Sequence, residues 1–405
     1  PGAAEACAAI SGAEADKGAP DGSLELLRFK KGVLISVAYA SSIGGIATLT
    51  GTPTNLVFAA QFPQLFPSAP TISFATWMAF ALPLSLSLLL LVWGLLWYLV
   101  GSPHLPEVPR ASIVRAYAEL GAATFQEKVV LAHFAALALL WVTHPAWKRA
   151  LPMVSDATVV VLTTLSLFMA PSRRPALCGG RGGGAQPIPA CLNWEVAVKL
   201  PWGVLILLGG GFAVAGAFKS SGLSHWMGLQ LLFAASWPPV LVLLLVNTFM
   251  TFATEITSNV STCTIVLPVL AQLARALGIN PLVLLVPGTI STSFAFMLPI
   301  ATPPNAIAFS SGELQIVDML RTGVRANFVG ILLTTLFTIA LAPVVLDASL
   351  STSPNSLPAW VGGLPGAQPA ATRCCACANQ TNTTTVAAAA AAAAIEATTA
   401  IINVG

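Results

Sequence analysis

The chain is organised around residues 254–305, where two small polar clusters interrupt an otherwise apolar sequence. The first cluster is Thr257-Ser258-Asn259, and the second is Ala301-Thr302-Pro303-Pro304-Asn305. Adjacent prolines remove two N–H donors and exclude their predecessors from helical geometry. In hydrocarbon every backbone N–H and C=O needs a partner, so a broken helix is tolerated only inside protein or beside a wet cavity. The stretch therefore predicts helix breaks at a functional cavity.

The second cluster occurs twice in the chain. Gly51-Thr52-Pro53-Thr54-Asn55 echoes residues 301–305 at an offset of 250 residues (305 − 55). Paired interrupted segments mark the binding sites of secondary transporters, where freed carbonyls and half-helix ends hold a cation and an anionic substrate. Taken singly, each motif is equally compatible with a helix end or a turn. The repetition favours a binding site.

Composition places the chain in a membrane. Of its 405 residues, 56% are hydrophobic and only 8% are charged, with a mean hydropathy of +0.82, whereas soluble domains carry roughly 25% charged residues. The net charge of +3 is too small to indicate nucleic acid, and the seven cysteines and four histidines lack metal-ligand spacing. We therefore predict an all-α polytopic membrane protein with no nucleic-acid partner.

The order of segments follows from hydropathy and breaker residues. We expect residues 1–30 to be a disordered loop or a truncated start, residues 31–350 to form the transmembrane domain, and residues 351–405 to be a disordered tail. Within the domain we predict a broken helix over 33–60, spans over 74–100, 129–142, 157–170, 202–218 and 327–346, a surface amphipathic helix within 104–128, and a loop over 172–200. Trp77, Trp97 and Tyr98 are interpreted as interfacial anchors of the 74–100 span.

The two clusters of the organising stretch predict two further elements. Residues 239–252 and 265–277 are each short for a span, which favours a re-entrant hairpin with the first cluster at its tip. Residues 281–300 and 306–309 flank the second cluster and predict a second broken helix. Glu255 beside the tip is either an intramembrane functional residue or a carboxylate that pairs locally and shapes the tip.

Charge and sequon positions predict the orientation. The positive-inside rule places Arg321 and Arg325 in the cytoplasm, so the C-terminus lies outside. Asn379 and Asn382, each in an Asn-X-Thr sequon of the tail, would then be glycosylation sites. The sequon at Asn259 has flanks too apolar for a surface loop.

Two enzyme-like interpretations are excluded. The glycine-rich LLGGGFAVAGAF segment within 202–218 places its lysine two residues too late for a phosphate-binding loop and follows a span rather than a strand. A membrane hydrolase would need a nucleophile with a base or paired carboxylates, and Glu255 has no such partner within sequence reach. We therefore predict that the chain is not an enzyme.

Three segments together resemble a known family. They are SIGGIATLTGT at 42–52, Ser258-Asn259, and SFAFMLPIATPPNAI at 293–307. They closely resemble the divalent anion/sodium symporter family, in particular the animal sodium-coupled di- and tricarboxylate carriers of the solute carrier family 13 type. The similarity covers about residues 30 to 350.

The resemblance implies a fold. It indicates an elevator-type transporter with inverted repeats, each built from a re-entrant hairpin and an unwound helix, with the second repeat at about 202–346. The hairpin of the first repeat should precede residue 30, where nothing in residues 1–30 can supply it, so the first repeat is expected to be incomplete. The family also implies a homodimer in the plasma membrane.

The resemblance implies site residues and cargo as well. The substrate contacts map onto Thr52, Ser258, Asn259, Val260, Thr302 and Pro303, with Val260 replacing the family's threonine. The sodium contacts map onto Gly51, Asn55, Thr254, Thr257, Asn259, Ala301 and Asn305, largely through backbone carbonyls.

These assignments predict sodium-coupled symport of di- or tricarboxylates such as succinate or citrate. Sulfate carriers of the family usually have Asn before Pro-Pro-Asn, whereas Thr302 stands here, which favours a carboxylate. Two alternatives stay open: a sulfate carrier, and a truncated member that does not transport by itself and acts by assembling with an intact carrier.

Overall fold

The computed structural model describes residues 20–100, 110–148, 150–151, 153–173, 189–199, 236–348, 350 and 358–361, with scattered positions between 203 and 230. Its helices are α1 Pro20–Ile46, α2 Pro53–Leu65, α3 Phe74–Val100, α4 Arg110–Glu119, α5 Phe125–Trp147, α6 Asp156–Met169, α7 Trp194–Ala197, α8 Pro239–Ile256, α9 Asn259–Leu277, α10 Leu282–Ser291, α11 Pro303–Phe309 and α12 Ile316–Val345, followed by a 3₁₀ turn at Ala359–Val361.

The described part of the chain is all-α, as predicted, apart from one isolated β-bridge between Pro171 and Ala190. Five of its helices are long and apolar enough to cross a bilayer: α3, α5, α8, α9 and α12. Several large apolar side chains, including Leu90 and Trp93 on α3, face outward. Exposed apolar surface of this extent is expected for helices that lie in lipid.

The first broken helix is confirmed. Helix α1 ends at Ile46, and α2 begins at Pro53, which occupies a first-turn position where its missing N–H is not needed. Glycines let the ends of the break meet, because a Cβ on Gly45 would lie 3.1 Å from the carbonyl oxygen of Gly51. The predicted start was wrong: α1 begins at Pro20, so residues 20–30 are helical rather than part of a loop.

The following helices agree with the prediction in type and differ at their ends. Helix α3 has the predicted bounds, but Trp77 is 1% exposed and belongs to the core, so it is not an interfacial anchor. Helix α6 is shifted by one residue from the prediction. Helix α5 is longer than its predicted 129–142 at both ends, and a capping box of Thr124 and Glu127 defines its start. The amphipathic helix is confirmed only over α4, and the predicted loop 172–200 contains the short helix α7. Most of the predicted span 202–218 lies outside the described residues.

Helices α8 and α9 flank the first polar cluster. They extend closer to it than predicted, so that only Thr257 and Ser258 separate them. With 18 and 19 residues, each is long enough to cross a bilayer, and the premise that each arm is too short was therefore wrong. The two helices contact each other, and both pack against α10. The predicted hairpin tip is the turn between them, while its re-entrant character stays a prediction.

The second broken helix differs most from its prediction. Helix α10 ends at Ser291 instead of residue 300, and residues 292–302 are irregular before α11 begins at Pro303. The break is therefore much longer than the predicted 301–305. We call residues 292–302 the unwound segment.

The last span also begins earlier than predicted, at Ile316, so Arg321 and Arg325 lie within α12 rather than before it. Asp318 in its first turn forms an ion pair with Lys31 of α1, with Nζ and Oδ2 2.6 Å apart. Beyond α12, Trp360 makes edge-to-face contacts with the rings of Phe62 and Phe66, at centroid distances of 5.8 and 5.4 Å. The prediction of a disordered tail is therefore wrong for residues 358–361.

One apolar core joins helices α1, α2, α3, α8, α9, α10 and α12. The short helix α11 packs on α1, and α2 packs on α9 and α10, so each broken helix lies against elements from the other half of the chain. A smaller cluster of Phe74, Trp141 and Val159 joins α3 to α5 and α6. The packing of α11 on α1 and of α2 on α9 and α10 brings the two breaks and the α8–α9 turn together.

Candidate functional site

One cavity of about 390 Å³ lies where the three interruptions meet. Eight residues predicted for the site line it: Gly51, Thr52, Ser258, Asn259, Val260, Ala301, Thr302 and Pro303. Seven residues that sequence reasoning did not assign also line it, among them Ser41, Thr54 and Ser293. The Thr54 and Ser293 hydroxyl oxygens are 3.3 Å apart, which links the first break directly to the unwound segment.

Three helices begin at this cavity. Thr52, Ser258 and Thr302 are the N-cap residues of α2, α9 and α11, and all three line the cavity. Thr52 and Thr302 share nearly the same extended backbone, with φ, ψ of −142°, 147° and −140°, 151°. The N-terminus of a helix carries a partial positive charge and free N–H groups. The converging ends of the longer helices α2 and α9 therefore favour a negative charge in the cavity.

Asn55 and Asn305 hold the two breaks in the same way. The Asn305 amide nitrogen donates to the carbonyls of Ala295 at 2.8 Å and Leu298 at 3.0 Å. The Asn55 amide nitrogen lies 3.4 Å from the carbonyl oxygen of Gly45 and 2.9 Å from that of Thr48. In each copy the acceptors are ten and seven residues before the asparagine, so the sequence repeat corresponds to a repeat of hydrogen bonds.

Neither asparagine lines the cavity, and both are fully buried. Their amide oxygens have no hydrogen-bond partner among the described residues. Buried acceptors of this kind normally find a donor, a water or an ion. The amide nitrogens thus hold the backbone of the breaks by hydrogen bonds. The amide oxygens have no such bond and could coordinate a cation.

Thr254 connects the α8–α9 turn to the unwound segment. Its hydroxyl lies 2.6 Å from Asn259 Oδ1 and 3.0 Å from the carbonyl oxygen of Thr292, two acceptors that share one proton. The Thr257 hydroxyl donates to the carbonyl of Ala253 at 2.9 Å and contacts the Thr262 hydroxyl. Thr254 and Asn259 are thus in direct contact at the turn, whereas Thr257 bonds to residues of α8 and α9. The assignment of these three residues to sodium stays a prediction.

A second cavity of about 280 Å³ adjoins the first. Ser258 and Ala301 line both cavities and so form the wall between them. Thr257 and Glu255 line the second cavity only. Of the predicted sodium contacts, Thr257 therefore lies at the second cavity, and Ala301 lies between the two cavities.

Glu255 is held by the unwound segment. Its carboxylate accepts from the backbone N–H groups of Met297 at 2.9 Å and Leu298 at 3.2 Å, and from the Asn327 amide at 2.7 Å. Since these donors occupy most of its acceptor positions, the alternative that the carboxylate pairs locally and shapes the tip is favoured. Asn327, on α12, was missed because a lone asparagine in an apolar helix carries no local signal.

The described residues that line the first cavity carry no charge. None of the fifteen residues lining it is Lys, Arg, His, Asp or Glu. Over the described ranges, no group of three or more His, Cys, Asp or Glu side chains is placed to hold a metal ion. A cation at this site would therefore be held by hydroxyl, amide and backbone oxygens, which are the ligands that hard cations prefer. The predicted glycosylation sites Asn379 and Asn382 lie outside the described residues.

Comparison with known proteins shows which family the sequence belongs to. The family described as "Sodium:sulfate symporter transmembrane region" matches residues 20–346. The chain is 39% identical over 333 residues to a Na(+)/citrate cotransporter of Rattus norvegicus, an alignment that covers 74% of this chain and 58% of that protein. It is 40% identical over 331 residues to Na(+)/dicarboxylate cotransporter 3 of Homo sapiens, covering 76% and 55%.

A bacterial relative has a similar identity and coverage. A sodium-dependent dicarboxylate transporter of Staphylococcus saprophyticus is 36% identical over 329 residues, covering 80% of this chain and 61% of the relative. The chain thus spans between half and two thirds of the length of these relatives. Given the match over most of its described helices, the chain belongs to the sodium:sulfate symporter family of membrane transport proteins.

Proposed function

We propose that this protein is a sodium-coupled symporter of di- or tricarboxylates such as succinate or citrate. The observation that carries the proposal is the convergence of three helix N-termini and two proline-containing breaks on one uncharged cavity. The names of the relatives, which include citrate and dicarboxylate cotransporters, support the same cargo.

The cavity suits a small anion. Its volume of about 390 Å³ is at the lower end of the roughly 300–1,000 Å³ found for small-molecule sites. Thr52, Ser258, Asn259 and Thr302 offer hydroxyl and amide donors, and the N-termini of α2 and α9 add dipoles that favour negative charge. One carboxylate of the substrate contacts the first break and the other contacts the α8–α9 turn and Thr302. Val260 supplies an apolar contact where the family has a hydroxyl.

The described lining side chains carry no positive charge that could balance an anionic substrate, and this favours coupling to sodium. A dianion loses much of its hydration on entering this cavity, and none of the lining side chains is a cation that could offset that loss. Sodium ions bound by the oxygens around Asn55 and Gly51, and around Thr254, Thr257, Asn259, Ala301 and Asn305, would neutralise the substrate. The substrate then binds only to a site already loaded with sodium.

The remaining parts of the proposal come from the family. They are an elevator-type cycle between inverted repeats, a re-entrant α8–α9 hairpin, a homodimer, a plasma-membrane location and an extracellular C-terminus. Arg321 and Arg325, near the start of α12, lie at the end of that helix expected in the cytoplasm. The proposal requires no covalent chemistry.

Uptake in cells tests the proposal. Asn259→Ala or Thr302→Ala is expected to abolish sodium-dependent succinate uptake while surface expression stays at the unaltered level. Ile307→Ala, an exposed position on α11, is the matched control and should transport normally. Unchanged uptake in both site variants would remove the site assignment, and sodium-dependent uptake of sulfate but not of succinate would replace the proposed substrate with sulfate.

A further inference from the structure

The two breaks share a second feature besides their asparagines. The Tyr39 hydroxyl of α1 donates to the carbonyl oxygen of Phe296 at 2.7 Å, and the Trp77 indole nitrogen of α3 donates to the carbonyl oxygen of Ile46 at 3.1 Å. Phe296 and Ile46 are separated by the same 250 residues (296 − 46) that relate the two motifs. Both rings are buried, with exposures of 0% and 1%. Equivalent carbonyls of the two repeats thus receive an aromatic donor from a neighbouring helix.

The peptide group between Phe296 and Met297 is held from two sides. Its carbonyl oxygen accepts from Tyr39, and its N–H donates to Glu255 at 2.9 Å. Because the C=O and N–H of a trans peptide point in opposite directions, these two bonds fix the orientation of the whole plane. Helix α12 confines it further, since a Cβ on Gly323 would lie 2.5 Å from the Phe296 oxygen.

This peptide lies inside the segment that shapes the cavity. Ser293, three residues before it, and Ala301 and Thr302, four and five residues after Met297, line the cavity. Tyr39 and Glu255 come from different helices and do not belong to the unwound segment. Rotation of the peptide would move the backbone that carries Ala301 and Thr302 relative to the α8–α9 turn.

We propose that Tyr39 is a positioning residue for cargo binding, and that it acts through the Phe296–Met297 peptide. Trp77 has the corresponding role at the first break. The inference rests on the proposed function, because it assigns to Tyr39 and Trp77 the task of holding the two breaks in the arrangement that binds sodium and substrate. Neither residue touches the cargo.

The test replaces only the hydroxyl. Tyr39→Phe keeps the ring, whose centroid is 4.7 Å from that of Phe296, and removes the donor. Because the binding arrangement is then populated for only a fraction of the time, the sodium concentration for half-maximal succinate binding should rise by about tenfold or more. Half-saturation is a concentration, so a smaller amount of folded protein does not change it. Tyr98→Phe, at an exposed position of α3, is the matched control and should resemble the unaltered protein.

A second variant covers the case in which Tyr39→Phe does not fold. Trp77→Phe removes the donor to Ile46 and should raise the same half-saturation concentration, whereas Trp97→Phe, exposed on the same helix, should not. If the unaltered protein binds succinate in a sodium-dependent manner and both core variants match it within about twofold, the inference is wrong and the proposed function stands. If the unaltered protein shows no sodium-dependent succinate binding, the proposed function is wrong and the inference falls with it.

Discussion

Replacement of Asn305 is expected to destabilise the protein strongly. The side chain is fully buried, and its amide nitrogen donates to two backbone carbonyls, Ala295 at 2.8 Å and Leu298 at 3.0 Å. Asn305→Ala leaves the buried Ala295 carbonyl without a donor, at about 1–3 kcal/mol for an unsatisfied group. The Leu298 carbonyl keeps the backbone N–H of Ala301 as a donor at 3.2 Å. The expected loss in the free energy of unfolding is therefore about 1–3 kcal/mol.

Asn305→Asp tests the same hydrogen bonds without changing the size of the side chain. The side chain keeps its size, but an oxygen replaces the donating nitrogen and faces the two carbonyl oxygens. We expect this variant to lose at least as much stability as Asn305→Ala, because it adds repulsion to the lost hydrogen bonds. Ile307→Ala on the same helix is 70% exposed and should change stability by less than about 0.5 kcal/mol.

The assay is unfolding of the purified protein in mild detergent, titrated with sodium dodecyl sulfate and followed by circular dichroism. Unfolding of both Asn305→Ala and Asn305→Asp within about 0.5 kcal/mol of the unaltered protein would contradict this prediction, since the buried Ala295 carbonyl cannot lose its donor at so small a cost.

Two further substitutions test the breaks at other points. Gly51→Ala should reduce the yield of folded protein, because its Cβ would overlap the Gly45 carbonyl oxygen and lie 2.9 Å from the Thr48 hydroxyl. Gly94→Ala on α3 has open space around it and should fold normally. Equal yields of the two variants by size-exclusion chromatography would contradict the close packing at Gly51. Asn327→Leu removes the amide that donates to the buried Glu255 carboxylate at 2.7 Å. In the same detergent titration it should lower the free energy of unfolding by about 1.5–3 kcal/mol. Unchanged stability would show that this hydrogen bond contributes little.

Local signals made part of this fold predictable. The prolines at 53 and 303 mark the starts of α2 and α11, because a proline is favoured in the first turn of a helix, where its missing N–H is not needed. The repeat at an offset of 250 residues then indicated that both breaks serve one site, and both line the same cavity. The apolar span α3 was predictable from its length and hydropathy alone.

The long unwound segment was not predictable from its own residues. Residues 292–300 are mostly apolar and read as a continuation of α10. They unwind because donors and acceptors from elsewhere, Tyr39, Glu255 and Asn305, satisfy their backbone groups. Those partners come from different helices, so only the tertiary structure reveals them.

The start of α12 was missed for a different reason. A hydropathy window places the span where the apolar residues begin, whereas the helix starts at Ile316 with a capping box formed by Gln315 and Asp318. Arg321 and Arg325 interrupt the apolar pattern but do not interrupt the helix, because charged residues are compatible with helical backbone at its end.

Equilibrium binding of radiolabelled succinate to the purified protein, with sodium or choline as the cation, tests whether the proposed site exists. We expect saturable binding in sodium, none in choline, and loss of binding in Thr302→Ala and Asn259→Ala. Binding of equal strength in choline, or binding that both variants retain, would contradict the claim that the three interruptions form one sodium-dependent anion site.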